Sequence, residues 1–158
     1  MSYRIISAGR VREPFYHEGV KEYLKRLGSY TQIQLVDGLE EKISPRAGSS
    51  DIQKALQKEA ERILSLIGKD EILVLLDSHG TELTSEELAA RMEGWTLSAK
   101  RINFVIGSAN GVADLIRGRA DFKLSLSRLT LPHQMAVLVV AEQIYRGFKI
   151  LKGEPYHK

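Results

Sequence analysis

Residues 102–111 read Ile-Asn-Phe-Val-Ile-Gly-Ser-Ala-Asn-Gly, a mostly apolar run that ends in a glycine-containing turn. A second run, Ile-Leu-Val-Leu-Leu, occupies residues 72–76 and is apolar at every position. Apolar runs of this length are typical of strands that are covered on both faces. Because longer amphipathic segments separate such runs, the sequence predicts an α/β fold whose sheet is largely parallel.

The rest of the chain continues this alternation of short apolar and longer amphipathic segments. The predicted strands cover residues 3–8, 32–36, 72–76, 102–106 and 122–126. The predicted helices cover residues 13–27, 50–67, 84–95, a short segment ending near 118, and 132–151. Ser50 with Gln53 and Thr84 with Glu87 have the spacing of capping boxes, and Pro132 is favoured at a first helical position. We therefore expect one sheet with helices on both faces.

Length and composition limit the class of protein. The 158 residues suit a single domain spanning residues 1–158. The net charge of +3 permits a polyanionic partner without requiring one. The sequence has no cysteine, which excludes disulfides, a thiol nucleophile and Cys-ligated metal sites. No apolar stretch is long enough for a signal peptide or a membrane span, so we expect a cytoplasmic protein with no membrane partner.

Several enzyme signatures are missing from the sequence. It contains no G-x-x-x-x-G-K-[ST] loop, no G-x-G-x-x-G after the first strand and no G-x-S-x-G elbow. The four histidines form no i, i+4 pair and no H-E-x-x-H motif. We therefore expect no metal site.

Two loops after predicted strands are candidates for binding a small molecule, because ligands of open α/β sheets lie beyond the carboxyl ends of strands. In the first, Gly107 and Gly111 would let a ligand approach the backbone closely. The second, L-S-R-L-T-L-P-H at 126–133, has the apolar lining that an adenine ring requires. The structural alternatives are an ordinary strand-to-helix turn for the first, and for the second a helix cap at Thr130 and a helix start at Pro132.

The C-terminal segment carries the third candidate site. Glu142, Arg146 and Lys149 are spaced to share one face of the last helix, which is consistent with a phosphate-binding surface or with a solvated stripe containing an ion pair. The chain ends Tyr156-His157-Lys158, which provides a stacking ring, a group that titrates near neutral pH and a cation. The alternative is a frayed terminus with no function.

The last predicted helix is apolar around nearly its whole circumference. Its apolar residues are Met135, Val137, Leu138, Val139, Val140, Ala141 and Ile144. A helix of this kind is buried on all sides. Either a second copy of the chain covers it, or it is a central core helix, and the pattern alone leaves both interpretations open.

Three segments together resemble a known family. They read F-V-I-G-S-A-N-G at 104–111, S-L-S-R-L-T-L-P-H-Q-M at 125–135 and E-Q-I-Y-R-G-F-K-I-L-K-G-E-P-Y-H-K at 142–158. With I-I-S-A-G-R-V-R-E at 5–13, this sequence resembles the RlmH family of SPOUT-class RNA methyltransferases over essentially its full length. The C-terminal segment is the most specific part of the resemblance.

The resemblance implies a complete activity and a fold. Members of that family transfer the methyl group of S-adenosylmethionine to N3 of a pseudouridine in 23S rRNA, on the ribosome. They act as homodimers without a metal, and the SPOUT fold threads its C-terminal part into a trefoil knot. The knot is implied by the resemblance only, since general topological rules argue against one.

The resemblance also implies which residues form the site. The implied cofactor-binding residues are Leu76, Gly107, Leu126, Ser127, Arg128, Leu129, Thr130 and Leu131. The target base would lie near Arg146, Tyr156 and His157, with His133 close to the knot. The base that removes the N3 proton is left open between His157 and a water molecule.

Two positions depart from the family pattern, and two other functions remain as alternatives. Ser108 stands where a second glycine is usual, so its Cβ either narrows the cofactor site or is accommodated by a small shift. Val137 stands where an arginine is common, which weakens a dimer or RNA contact. The alternatives are a SPOUT methyltransferase acting on transfer RNA, and a non-enzymatic nucleotide- or phosphate-binding module with a flavodoxin-like strand order.

Overall fold

The computed structural model describes residues 2–158, which form five strands and five helices in regular alternation. The strands are β1 (Ser2–Ser7), β2 (Gln32–Val36), β3 (Ile72–Glu82), β4 (Arg101–Ile106) and β5 (Phe122–Ser125). The helices are α1 (Pro14–Leu27), α2 (Ser49–Ser65), α3 (Ser85–Ser98), α4 (Asp114–Arg119) and α5 (His133–Lys152). The predicted α/β class is confirmed.

All strand pairs in the sheet are parallel, in the order β2-β1-β4-β3-β5. The carboxyl ends of the strands therefore meet at one edge, where an open α/β sheet binds its ligands. A flavodoxin-like sheet has the order 2-1-3-4-5, so that part of the non-enzymatic alternative is wrong.

Helices cover both faces of the sheet, as predicted. Successive residues of β4 point to opposite faces, so Phe104 packs in the core beneath α1, α3 and α5 whereas Val105 packs beneath α2 and α4. Both side chains are almost completely buried. This two-sided burial is the reason that the central strands read as uninterrupted apolar runs.

Asn103, the single polar residue within the apolar run of β4, joins a buried polar network at the amino edge of the sheet. Its side chain accepts a hydrogen bond from Arg4 Nε at 2.9 Å and donates to Glu71 Oε1 at 3.1 Å. Arg4 also pairs with Glu71 at 3.2 Å. These groups satisfy one another at the edge opposite the ligand-binding edge, so we assign the network to stability.

The two predicted capping boxes have different outcomes. In α3, Thr84 Oγ1 accepts a hydrogen bond from the Glu87 backbone and Glu87 Oε1 accepts one from the Thr84 backbone, so this box is confirmed. The box predicted at Ser50 and Gln53 is wrong. Gly48 is the N-cap of α2 and makes no side-chain cap, so Ser50 already lies inside the helix.

Strand β3 is longer than its apolar run predicts, because it bulges and then resumes. Leu76 and Thr81 both pair with Leu124 of β5, so residues 77–80 project from the ladder at the carboxyl edge. A Cβ at Gly80 would lie 2.6 Å from the carbonyl oxygen of Lys123, which explains the glycine. The projecting residues become part of the candidate site.

Helix α5 packs on the sheet between α1 and α3, and this chain covers much of its circumference. Its fully buried face comprises Ala136, Val137, Val140, Ala141, Ile144 and Gly147. The interpretation as a central core helix therefore holds for this face, and Val137 lies in the core with no exposed surface. The opposite face is only half-buried and forms an outer stripe, which we define as Met135, Leu138, Val139, Glu142 and Arg146.

Candidate active site

A cavity of about 790 Å³ opens at the carboxyl edge of the sheet. The loops after β4 and β5, the bulge of β3 and the first turn of α5 surround it. The predicted residues that line it are Leu76, Gly107, Leu126, Ser127, Leu129, Thr130 and Leu131. Arg128 does not line the cavity and its side chain is exposed. The volume lies in the usual range for small-molecule sites.

The loop after β5 is shaped by local hydrogen bonds. Ser125 Oγ donates to the carbonyl oxygens of Ser127 at 3.1 Å and, from the β3 bulge, of Ser78 at 3.3 Å. The Leu129 backbone donates to Ser127 Oγ at 3.0 Å. These bonds tie the loop to the bulge, so two walls of the cavity are held together. Leu129 leaves 76% of its surface exposed at the rim.

Gly107 is required by the turn of the chain itself. A Cβ at this position would lie 2.5 Å from Val112 Cγ1 and 2.8 Å from the Gly111 carbonyl oxygen. Gly111 adopts a φ of +92° and donates from its backbone to Ser108 at 2.9 Å. The close contacts within the turn are therefore enough to explain why residue 107 is a glycine. Gly107 also lines the cavity.

Ser108 is accommodated in the wall of the cavity. Its hydroxyl is buried and makes no hydrogen bond that satisfies ordinary geometry within residues 2–158. Ser108 interacts with Glu59 of α2, whose pKa is raised by burial and lowered to a lesser extent by the Glu41 backbone and by Ser108. Glu59 Oε2 accepts from the Glu41 backbone at 3.1 Å. The extra side chain at 108 thus faces a buried carboxylate behind the turn.

Two charged residues of the cavity were not predicted from the sequence. Asp77, in the β3 bulge, is largely buried and its Oδ1 accepts from the His79 backbone at 2.9 Å. Arg117, in α4, donates to the Val112 carbonyl oxygen at 3.0 Å. Asp77 follows the apolar run of β3 directly, so the rule that ligands lie at strand ends indicates it. Nothing in the sequence pattern indicates Arg117.

The predicted residues Arg146, Tyr156 and His157 are brought together in a second site, around Glu142. Arg146 contacts Glu142 Oε1 through Nε at 2.9 Å and through Nη2 at 2.6 Å. The Tyr156 hydroxyl donates to the same oxygen at 3.0 Å, and the Arg146 guanidinium lies 4.6 Å from the Tyr156 ring centre. Glu142 is therefore the centre of this arrangement.

His157 extends this arrangement to helix α3. Its Nδ1 lies 3.1 Å from Arg146 Nη1, and its Nε2 lies 2.6 Å from Glu86 Oε1. We call Glu86, Glu142, Arg146, Tyr156 and His157 the tail cluster. The interpretation of the last residues as a frayed terminus is wrong, because Tyr156 and His157 are both half-buried and bonded.

The environment fixes the charges in the tail cluster. Burial, together with hydrogen bonds to Tyr23 and Glu142, raises the pKa of Tyr156, so the phenol stays protonated at neutral pH. The bond to Glu142 raises the pKa of Arg146, and the bond to His157 lowers the pKa of Glu86. The cluster therefore holds a guanidinium cation beside a neutral aromatic ring.

The cavity and the tail cluster lie at different ends of α5. His133 lines the cavity and contacts the Arg10 carbonyl oxygen at 3.2 Å, whereas no residue of the tail cluster lines the cavity. Arg146 lies about 20 Å farther along the helix, at about 1.5 Å per residue. One chain therefore does not unite the predicted cofactor residues with the predicted catalytic residues.

The described residues offer few sites of other kinds. Within residues 2–158 there is no group of three His, Asp or Glu side chains placed to hold a metal ion. None of the helices in this range is long and apolar enough to cross a membrane.

A parallel α/β sheet with a largely apolar cavity at its carboxyl edge has the architecture of the α/β folds that bind small molecules beyond their strand ends. The family model described as "Predicted SPOUT methyltransferase" matches residues 1–157. The chain therefore belongs to the SPOUT methyltransferase family. The predicted family class is confirmed, while the knot stays a prediction.

Two curated relatives match over the full length of both chains. The ribosomal RNA large subunit methyltransferase H of Syntrophomonas wolfei is 64% identical over 159 residues, covering 100% of each chain. The protein of the same name from Halothermothrix orenii is 40% identical over 159 residues, again covering 100% of each chain.

Two solved structures share the fold at low identity. The SpoU methyltransferase AviRb of Streptomyces viridochromogenes superposes with a TM-score of 0.52 at 10% identity. The match covers 98% of this chain and 61% of AviRb. A methylase family protein of Haemophilus influenzae gives a TM-score of 0.54 at 14% identity, with 99% and 70% of the chains covered. These likenesses confirm the fold alone.

Proposed function

We propose that this protein transfers the methyl group of S-adenosylmethionine to N3 of a pseudouridine in 23S rRNA of the large ribosomal subunit. The substrate class follows the names of the full-length relatives, and the target atom follows the family resemblance. The observation that carries the proposal is the pair of sites that the fold builds, a cofactor-sized cavity and a tail cluster with an aromatic ring and a cation.

The chemistry of the cavity fits S-adenosylmethionine. Leucine side chains from β3 and from the loop after β5 give an apolar wall suited to adenine. The amino-acid part of the cofactor carries an ammonium group and a carboxylate, which match the opposite charges of Asp77 and Arg117. When bound, the cofactor supplies an electrophilic methyl group on a sulfonium, so the site needs no metal to activate it.

The tail cluster fits the target base. Aromatic side chains stack on bases, and Tyr156 provides such a ring. Loss of the N3 proton leaves a negative charge shared with the flanking carbonyl oxygens of the base, and the Arg146 guanidinium is placed to stabilise it. Because Glu142 and His157 already engage Arg146, we assign it to the base rather than to a backbone phosphate.

A homodimer would unite the two sites. The outer stripe of α5 is apolar at Met135, Leu138 and Val139, beside the cavity, and charged at Glu142 and Arg146, in the tail cluster. Two such stripes packed antiparallel and crossing near Val139 would put residue 133 of one copy level with residue 146 of the other. The tail cluster of one chain would then close the cavity of its neighbour, in the cytoplasm where ribosomes are found.

The experiment that tests the function is mass spectrometry of RNA from a strain lacking the gene. We expect one methyl group to disappear from a pseudouridine-containing fragment of 23S rRNA and to return with the intact gene. Loss of a methyl group from transfer RNA instead would support the transfer RNA alternative. Unchanged RNA, with calorimetry showing that the protein binds mononucleotides but not S-adenosylmethionine, would support the non-enzymatic alternative.

A further inference from the structure

The two ring nitrogens of His157 have partners of different kinds. A guanidinium group only donates hydrogen bonds, so His157 Nδ1, at 3.1 Å from Arg146 Nη1, accepts and carries no proton. The remaining nitrogen, Nε2, then carries the proton and donates to Glu86 Oε1 at 2.6 Å. Both ring nitrogens of His157 are therefore engaged by partners within the chain, which leaves neither free to contact a substrate.

From this arrangement we infer that Glu86 is a positioning residue for methyl transfer, acting through His157, and that His157 is not the general base. The inference rests on the proposed function. Glu86 holds the Nε2–H tautomer, which in turn presents Nδ1 to Arg146 as an acceptor. Arg146 is thereby fixed between His157 and Glu142 beneath the Tyr156 ring.

Helix α3 presents Glu86 from a rigid position. The Thr84–Glu87 capping box closes the first turn of the helix, and the Glu86 carboxylate also contacts its own backbone and the Thr84 side chain. Ser85 Oγ donates to Gln143 Oε1 of α5 at 2.7 Å, which ties the start of α3 to the helix that carries Arg146. The amino end of α3 is thus a fixed support for the tail.

The Glu86 carboxylate has no role in the core. Its side chain is 62% exposed, and its contact with His157 joins residues that are 71 positions apart in the chain. The charged and titratable groups of the cluster around His157 are Glu86 from α3, Arg146 and Glu142 from α5, and Tyr156 from the tail. Removing the carboxylate therefore changes the tail cluster and leaves the hydrophobic core intact.

The test compares three variants in methyl transfer to ribosomes lacking the modification. We expect Glu86→Ala to lower kcat by about 10- to 100-fold, the range that a small misplacement of a catalytic group produces, with unchanged affinity for S-adenosylhomocysteine. Glu86→Gln should recover most of the rate, because its amide oxygen still accepts the Nε2–H bond. Glu93→Ala, on the same helix and exposed, is the matched control and should keep the parental rate.

Two kinetic results would overturn the inference. A parental rate in Glu86→Ala would show that the contact does not position the tail. An equal loss in Glu86→Gln and Glu86→Ala would show that the charge of Glu86 acts, rather than its hydrogen bond to a neutral imidazole. An inactive parental protein would instead contradict the proposed function.

Nitrogen-15 NMR of the histidine rings tests the tautomer without any assay of activity. The signals of His157 are assigned by comparison with a His157→Gln variant. We expect one protonated nitrogen, Nε2, at neutral pH in the parental protein, and a mixture of tautomers in Glu86→Ala. Protonation of both nitrogens at neutral pH would contradict the inference.

Discussion

At the scale of single residues, Gly107 shows how a residue that lines the cavity can be required by the turn in which it lies. Gly107→Ala places a Cβ within 2.8 Å of the Gly111 carbonyl oxygen, so the turn must shift. We expect a loss of about 1–3 kcal/mol in the free energy of unfolding, as in other overpacked sites, together with weaker binding of S-adenosylmethionine. Thermal unfolding and calorimetry measure the two effects.

Gly94 provides the matched control for this substitution. It lies within α3, and nothing lies within 4 Å of an added Cβ. Gly94→Ala should therefore stabilise the protein by about 0.5–1 kcal/mol, as expected for a helix interior. A Gly107→Ala variant as stable as the parental protein would contradict the account of the turn.

The raised pKa of Glu59 predicts that the stability of the fold depends on pH. Burial raises the pKa of this carboxyl in the folded state above its value in the unfolded chain, near 4.5. The protonated carboxyl therefore contributes its full stability below the unfolded pKa, and this stability is lost as pH rises through the folded pKa. Glu59→Gln removes this loss while keeping an acceptor for the Glu41 backbone. We expect a higher Tm than the parental protein at pH 7, by about 2–4 °C for each kcal/mol gained.

The two proteins should converge in stability below about pH 4, where the parental carboxyl is protonated as well. Thermal unfolding between about pH 3 and pH 8 measures the difference. A Glu59→Gln variant that is less stable than the parental protein at pH 7 would show that the ionised carboxylate is favourable in its site.

Individual residues also show where the sequence is informative. The i, i+4 spacing of Glu142 and Arg146 predicts their ion pair, which is confirmed, although both side chains are largely buried rather than solvated. The pairing of Arg4 with Asn103 joins positions 99 apart, and no local pattern predicts it. Local spacing thus predicts contacts within a helix, whereas contacts between distant segments depend on topology.

At the scale of elements, the C-terminal tail is the segment whose removal is most informative. Deleting residues 156–158 removes the Tyr156–Glu142 and His157–Glu86 bonds while leaving both hydrophobic clusters complete. We expect a folded protein that binds S-adenosylmethionine normally and loses nearly all methyl transfer, because the stacking ring, worth about 1–3 kcal/mol, and the His157 support of Arg146 are lost together. A truncated protein that methylates at the parental rate would contradict a role for the tail.

The elements also differ in how far the sequence predicts them. The strands and most helices follow from apolar runs and amphipathic segments, and β2 is predicted with its observed bounds. The extension of β3 to Glu82 was not predicted, because its outer part is polar and pairs only after a bulge. Pairing with a neighbouring strand, rather than local hydrophobicity, decides that segment.

At the scale of the whole molecule, the strand order could not be predicted from the sequence pattern. The order β2-β1-β4-β3-β5 depends on how the crossovers pack, and each crossover is compatible with several orders. Of the eight predicted cofactor residues, all but Arg128 line the cavity. The predicted tail residues also lie close together. That these two groups lie at different ends of α5 follows already from the predicted helix over residues 132–151, which separates residues 126–131 from Arg146 and the tail.

The composite site is the central claim of this account, and mixed dimers test it most directly. One subunit carries Thr130→Trp, an exposed substitution that fills the cavity, and the other lacks residues 156–158. Each homodimer should be inactive, and light scattering should give a dimer for both. A mixed population should recover about a quarter of the parental rate, because half of the dimers are mixed and each has one intact site. No recovery in verified mixed dimers would contradict the claim that two chains build each active site.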